Sequence, residues 1–143
     1  MKLIDANLLL YGVNVASPMH ARARVWLEAA FRGDEVVALP WVVLLGFLRV
    51  ATSPRALPRP LSAELATDVI DGWLALPNVV AISAGEDHWN TLRALLSQTG
   101  TAGNLTTDAH LAALAIEYDC ELYSTDADFA RFAAVRWVNP LAA

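Results

Sequence analysis

The stretch KLIDANLLLY, Lys2–Tyr11, contains the pattern on which the predicted fold rests. Lys2–Ile4 predicts a short buried strand, which the polar residues Asp5 and Asn7 end. The apolar run Leu8–Tyr11 then predicts the start of a helix. A strand that leads directly into a helix is the unit from which parallel sheets are built.

The rest of the chain repeats this alternation. Further strands are predicted at Val36–Leu39, Val79–Ile82 and Glu121–Ser124, with an edge candidate at Val135–Val138. Further helices are predicted at Pro18–Phe31, Trp41–Val50, Ser62–Leu76, Glu86–Gln98, Asp108–Tyr118 and Asp128–Phe132, with a flexible loop at Gly100–Asn104. Because crossovers between parallel strands place helices on both faces, this order predicts a three-layer α/β/α fold with a central, mostly parallel sheet of four to five strands. We expect one domain over residues 1–143.

Composition limits the classes of protein that fit the chain. Apolar residues make up 56% of the sequence and charged residues 17%, which excludes a disordered chain and leaves apolar surface for a partner. The net charge of -5 argues against a passive RNA-binding module, which normally has a basic surface. A carboxylate-rich pocket remains compatible with nucleic-acid chemistry, because bound divalent cations would make it attractive to phosphate.

The sequence also predicts a cytoplasmic protein. No apolar run approaches the roughly 20 residues of a membrane span. Asp5 and Asn7 interrupt the apolar segment that a signal peptide would need. The single cysteine, Cys120, has no second thiol for an internal disulfide or a zinc site.

Acidic residues follow two of the predicted strands. Asp5 ends the first strand, Asp126 lies just beyond the fourth, and Asp108 is in the first turn of a helix after the Gly-rich loop. Open parallel sheets place their ligand sites at the carboxyl ends of their strands, so we expect these acids to converge. Clustered carboxylates repel one another and supply the oxygen ligands that magnesium prefers, so this spacing predicts a metal site.

Each acid also has a purely structural interpretation. Asp5 could form a turn while Asn7 caps the next helix. Asp108 could favour the positive end of its helix, and Asp126 or Asp128 could cap the short helix before Phe129. Capping alone does not require the capped ends to meet at one edge of the sheet.

Three segments around these acids resemble the acidic motifs of PIN-domain toxins of the VapC family. They are LIDANLLLY at Leu3–Tyr11, TDAHLAALA at Thr107–Ala115 and LYSTDADFARF at Leu122–Phe132. LPWVVLLGFLRVAT at Leu39–Thr52 and RWVNPL at Arg136–Leu141 extend the similarity. The resemblance covers nearly the whole chain, in the expected order and spacing.

The resemblance implies an endoribonuclease, dependent on magnesium or manganese, that acts as the toxin of a type II toxin–antitoxin system. It implies cleavage of structured RNA such as tRNA or rRNA, a cognate antitoxin as partner, and a homodimer. Asp5 and Asp108 would be the principal metal ligands and Asp126 would complete the catalytic site, directly or through water. The auxiliary residues would be Asp128, Asn7 and Thr125, the last two orienting the carboxylates or bound waters.

Gly46 departs from this family, in which a glutamate is common on the helix after the second strand. A mid-helix glycine costs roughly 0.5–1 kcal/mol relative to alanine. The favoured interpretation is close helix packing. The others are a subfamily that uses fewer carboxylates and a deliberate change that silences a toxic enzyme. The alternative function is therefore a catalytically impaired PIN domain that binds RNA or antitoxin.

Arg49, Arg55 and Arg59 lie at one helix end and in the following loop, where they could contact RNA phosphates. A solvated basic loop, or one that pairs with an acidic antitoxin, explains them equally well. The apolar helix around Trp41–Leu48 could form a groove for an antitoxin helix.

The remaining ionisable residues favour no other enzyme class. His20, His88 and His110 are predicted to be surface or packing residues rather than general bases. Haloacid dehalogenase-type phosphatases and phospho-receiver domains need a lysine near the carboxyl end of the sheet, whereas the only lysine, Lys2, begins the first strand.

Overall fold

A central sheet of five strands organises the computed structural model, which describes residues 1–142. The strands are β1 (Lys2–Ile4), β2 (Val37–Pro40), β3 (Val79–Ile82), β4 (Glu121–Tyr123) and β5 (Trp137–Val138). Their order is β3-β2-β1-β4-β5, and every neighbouring pair is parallel. The predicted fold class is confirmed, with the parallel arrangement extending to the short edge strand β5.

Six α-helices cover this sheet. They are α1 (Ala6–Val13), α2 (His20–Arg32), α3 (Trp41–Ala51), α4 (Ala63–Leu74), α5 (His88–Thr99) and α6 (Thr106–Glu117). The helices α1 to α4 pack on one another, and α5 packs on α6 as a separate pair. None of the helices in residues 1–142 is long and apolar enough to cross a membrane.

The segment between α5 and α6 differs from its prediction as a loop. Gly100, with φ 73°, ends α5, and a 3-10 turn follows at Gly103–Leu105. Gly103 also has a positive φ, 45°, which L side chains rarely adopt. This turn leads into α6 at Thr106, so Asp108 is the third residue of the helix rather than its first.

The core lies on both faces of the sheet. Leu3, Leu39 and Leu122, from three adjacent strands, are fully buried. Phe47 of α3 packs edge-on against Trp73 of α4, with ring centroids 4.8 Å apart. Burial of each such side chain stabilises the folded state by about 1.5–3 kcal/mol. This packing holds in place the ends of the strands and the first turns of the helices that follow them.

The direction of the strand order reverses between β1 and β4. The chain moves outward from β1 through β2 to β3, then crosses back to β4 and continues to β5 on the other side. Adjacent connections leave the sheet in opposite directions at such a point, which opens a crevice at the carboxyl ends of the strands. Ile4 pairs with Tyr123 in this register, so Asp5 and Ser124 emerge side by side at the crevice.

Candidate metal centre

Three of the predicted acids form a cluster at this edge of the sheet. Asp108, Asp126 and Asp128 each offer a carboxylate oxygen, and these oxygens lie within 4.8 Å of one another. Asp108 comes from the first turn of α6, whereas the other two belong to a 3-10 turn at Ala127–Arg131 and its N-cap. Residues about twenty positions apart in the sequence thus present their carboxylates to one point.

Asp5 lies next to this cluster in a network of hydrogen bonds. The Ala6 N–H donates to Asp5 Oδ1 at 2.7 Å, and Ser124 Oγ donates to Asp5 Oδ2 at 2.8 Å. Asn7 Nδ2 lies 3.4 Å from Asp5 Oδ2 and 2.9 Å from Ser124 Oγ. These contacts fix the orientation of the Asp5 carboxylate.

Ser124 is the residue that sequence reasoning missed. Its side chain is fully buried, bonds Asp5 and Asn7, and accepts the Asp126 N–H at 3.0 Å. Thr125, which was predicted to orient the carboxylates, has a backbone N–H that lies 3.5 Å from Asn7 Oδ1, and within residues 1–142 its side chain makes no hydrogen bond to the aspartates. Ser124 is placed beside Asp5 by the register of β1 against β4, which the sequence alone does not determine.

Two of the acids are helix caps as well as members of this site. Asp5, rather than Asn7, caps α1, and Asp126 Oδ1 accepts the Asp128 N–H at 2.9 Å at the start of the 3-10 turn. Capping and convergence therefore occur together, since each cap lies at the carboxyl end of its strand.

The proximity of these acids changes their titration. The pKa of Asp108 is raised to about 6, chiefly by burial and in addition by the charges of Asp126, Asp5 and Asp128. Burial also raises the pKa of Asp5, although hydrogen bonds from Ser124 and the Ala6 N–H oppose this effect. Asp5 and Asp108 therefore bind protons more readily than isolated aspartates do.

The site has the chemistry of a divalent cation site. Its donors are carboxylate oxygens, the ligands that magnesium and manganese prefer. None of the ion pairs found in residues 1–142 involves these four aspartates, so their charge is not neutralised by lysine or arginine. A cation at this point would relieve the repulsion that raises the pKa of Asp108.

Gly46 borders a cleft of about 410 Å³ that opens onto Asp5. A Cβ atom on Gly46 would meet nothing within 4 Å. The interpretation of Gly46 as a close-packing residue is therefore wrong, because no neighbouring atom requires the absence of a side chain. The position faces open space beside the carboxylates.

The three predicted RNA-contacting arginines lie at different distances from this cleft. Arg49 is exposed and lines it, one turn of α3 beyond Gly46. Arg55 and Arg59 are exposed on the following loop and do not line it. The geometry thus separates Arg49 from the other two.

The histidines contact other parts of the molecule. His88 Nδ1 lies 2.6 Å from Glu117 Oε2, and His88 Nε2 lies 2.8 Å from His110 Nδ1, which links α5 to α6. His20 Nδ1 lies 2.9 Å from the Tyr11 carbonyl oxygen. Sequence reasoning placed these residues in packing or surface roles but did not detect the buried link between α5 and α6.

Lys2 lies at the amino end of β1, where its Nζ is 2.9 Å from Glu35 Oε1. This is the end of the sheet away from the aspartates. Lys2 is therefore not positioned to serve the carboxylate site, as a phosphatase of the haloacid dehalogenase type or a phospho-receiver domain would require.

Comparison with known proteins identifies close relatives. A family model for the PIN domain matches residues 2–135. The chain is 45% identical over 141 residues to Ribonuclease VapC33 of Mycobacterium tuberculosis, covering 99% of both proteins. It is 44% identical over 140 residues to Ribonuclease VapC37 of the same organism, covering 98% of this chain and 97% of the relative.

Solved structures share the fold at lower sequence identity. VapC20 of Mycobacterium tuberculosis, described as a sarcin-ricin loop cleaving toxin, has a TM-score of 0.68 and 17% identity over 94% of this chain and 95% of its own. VapBC2 of Rickettsia felis, bound to a DNA fragment from its promoter, has a TM-score of 0.68 and 21% identity over 96% and 97%.

Proposed function

The chain belongs to the PIN-domain family, and within it to the VapC ribonucleases, and we propose that it is a metal-dependent endoribonuclease that acts as the toxin of a toxin–antitoxin pair. The observation that carries this proposal is the convergence of Asp108, Asp126 and Asp128 within 4.8 Å, beside Asp5. The proposed substrate is structured RNA such as tRNA or rRNA. The relatives at 44–45% identity, which are named ribonucleases, support the reaction class.

Asp5, Asp108 and Asp126 would hold magnesium or manganese, with Asp128 as an auxiliary acid. When bound, such an ion supplies a nucleophilic water at neutral pH and charge stabilisation for the scissile phosphate. Ser124 and Asn7 keep the Asp5 carboxylate in one orientation, which lowers the entropy lost on metal binding. Asp108 must lose its proton to act as a ligand, so activity should decrease as pH falls through about 6.

We further propose that an antitoxin covers the apolar face of α3. Trp41 and Leu45 are 49% and 60% exposed on this helix, and a group of exposed large apolar side chains is typical of a surface that binds a partner. A partner helix placed there would also obstruct the neighbouring cleft. A homodimer and a cytoplasmic location, where Cys120 stays reduced, complete the proposal.

Gly46 favours one alternative, in which the chain binds RNA or antitoxin without cutting. The site would then have too few ligands to hold a catalytic cation. Expression in cells separates the two functions. Asp5→Asn and Asp108→Asn should each abolish growth inhibition by a nuclease, whereas they should leave the effect of a binding module unchanged.

The direct test is cleavage of total RNA by the purified chain in manganese or magnesium. EDTA and Asp108→Asn samples serve as controls, and sequencing of the cut ends identifies the target. Discrete products that require both the metal and Asp108 would support the proposal. If no products appear with the wild-type chain or with Gly46→Glu, the catalytic function is wrong.

A further inference from the structure

The edge strand β5 supports Ser124, which lies one residue beyond the end of β4. The Ser124 N–H donates to the Val138 carbonyl oxygen at 3.1 Å, which continues the parallel pairing of the two strands. In a parallel ladder, the carbonyl oxygen of the same residue would accept the next donor on the partner strand, the backbone N–H of residue 140. Pro140 has no N–H, so the ladder cannot supply this hydrogen bond.

The indole of Trp137 substitutes for the missing donor. Its Nε1 donates to the Ser124 carbonyl oxygen at 2.9 Å. Ser124 is fully buried, and a buried carbonyl group without a hydrogen-bond partner is strongly disfavoured. Both backbone polar groups of Ser124 are therefore held by consecutive residues of β5, one through the Val138 carbonyl oxygen and the other through the Trp137 side chain.

Ser124 is also the residue that connects the carboxylates. Its hydroxyl donates to Asp5 Oδ2 at 2.8 Å and accepts the Asp126 N–H at 3.0 Å. Asn7 Nδ2 lies 2.9 Å from the same oxygen, so the single proton and both lone pairs of the hydroxyl are used. Since the direction of a side chain follows its backbone, a rotation of the Ser124 backbone would move the hydroxyl away from all three partners.

The surrounding structure keeps Trp137 in place. Its side chain is partly buried and packs against the core. On one side of it, the Arg136 carbonyl oxygen accepts the Leu122 N–H of β4 at 2.8 Å. On the other side, Leu141 is 3% exposed, and its carbonyl oxygen accepts a hydrogen bond from the Arg22 guanidinium of α2. The short strand β5 is thus anchored both before and after Trp137.

We propose that Trp137 is a positioning residue of the carboxylate site. Its indole N–H supplies the hydrogen bond that Pro140 cannot, and thereby holds Ser124 where the hydroxyl orients Asp5 and the backbone of Asp126. The relevance of this role to metal binding rests on the proposed function. The indole has one N–H and donates it to Ser124, so Trp137 acts on the aspartates only through Ser124.

Trp137→Phe removes the indole N–H and keeps an aromatic ring against the core. In EDTA, the Asp126 N–H of this variant should exchange with solvent about tenfold faster by NMR, because the Ser124 oxygen that accepts it is held less firmly. Manganese should bind about tenfold more weakly in calorimetric titrations without RNA, as expected for a residue outside the ligands. Circular dichroism checks that the variant is folded.

Trp73→Phe is the matched control. Trp73 packs against Phe31 and Phe47 on α4, a helix that contributes no residue to the carboxylate site. The substitution removes the same atoms from the core as Trp137→Phe does. It should change neither the exchange of the Asp126 N–H nor the affinity for manganese.

Two double variants separate the hydrogen bond from packing. Pro140→Ala restores a backbone N–H where the ladder would continue, so its combination with Trp137→Phe should recover most of the slow exchange and of the manganese affinity. In a Ser124→Ala background, Trp137→Phe should weaken manganese binding by less than about twofold, because the hydroxyl through which the indole acts is already absent.

Wild-type exchange of the Asp126 N–H in Trp137→Phe, or an equal acceleration in Trp73→Phe, would overturn the inference. It would also be overturned by a lack of recovery with Pro140→Ala, or by a full tenfold effect in the Ser124→Ala background. Because exchange is measured in EDTA, it tests the role of Trp137 independently of the metal. A wild-type protein that binds no manganese would contradict the proposed function instead, whereas equal manganese binding by wild type and Trp137→Phe would leave that function and remove the role of Trp137.

Discussion

Replacement of Asp108 by asparagine should stabilise the metal-free protein at neutral pH. Asp108 titrates at about 6 in the folded protein, against an ordinary value of 3.8. The folded state therefore holds this proton more tightly than the unfolded state. The stability it contributes is fully present below about pH 4 and is lost as the pH rises through about 6.

The magnitude follows from this difference. About two pH units at about 1.4 kcal/mol each give an upper bound of about 3 kcal/mol. Asp108 is partly exposed, so solvent screening reduces the effect to about 1 kcal/mol. Asp108→Asn should therefore raise Tm by roughly 3 °C at about pH 8 in EDTA, and by much less at about pH 4.5.

Thermal unfolding followed by circular dichroism measures this difference. The matched control is Asp68→Asn, an exposed aspartate on α4 outside the cluster, which should change stability by less than about 0.5 kcal/mol. In saturating manganese the wild type should instead be more stable than Asp108→Asn. A ligand at about 100 times its Kd adds about 2.7 kcal/mol to the free energy of unfolding of the protein that binds it. A variant no more stable than wild type at about pH 8, or equally stabilised at both pH values, would refute the reasoning.

Three further substitutions test other parts of the site and its surroundings. Ser124→Ala removes a buried hydrogen bond to Asp5 and should weaken manganese binding about 10–100-fold in calorimetric titrations; unchanged affinity would contradict the positioning role of Ser124. His88→Ala breaks the contact with Glu117 and should lower the free energy of unfolding in urea by about 1–3 kcal/mol while RNA cleavage persists; loss of cleavage in a folded variant would show a role in the reaction. Gly46→Glu adds a carboxylate at an open position and should tighten manganese binding; weaker binding would mean that the new side chain points away from the site.

The positions of the clustered acids could be predicted because they follow from topology. Once β1 and β4 are recognised as parallel strands, their carboxyl ends lie at one edge, and Asp5 and Asp126 must approach each other. Asp108 could be added because a helix that precedes β4 begins at that same edge. No side-chain detail is needed for any of these inferences.

Ser124 and Gly46 could not be predicted in the same way, because their roles depend on what surrounds them. Ser124 resembles any serine at a strand end until the register places it against Asp5. Gly46 is compatible in sequence with close packing, and only the empty space around its Cα rules that out. The link between His88 and Glu117 likewise depends on how α5 packs on α6, which residue spacing does not determine.

The central claim is that the clustered aspartates hold the cation that drives RNA cleavage. The most direct test is the cleavage rate of one mapped RNA as a function of manganese concentration, for wild type and Asp126→Asn. The claim predicts no cleavage in EDTA, and a variant that cuts the same bond but requires at least about tenfold more manganese for its half-maximal rate. Cleavage that persists in EDTA, or an identical manganese dependence in the two proteins, would contradict it.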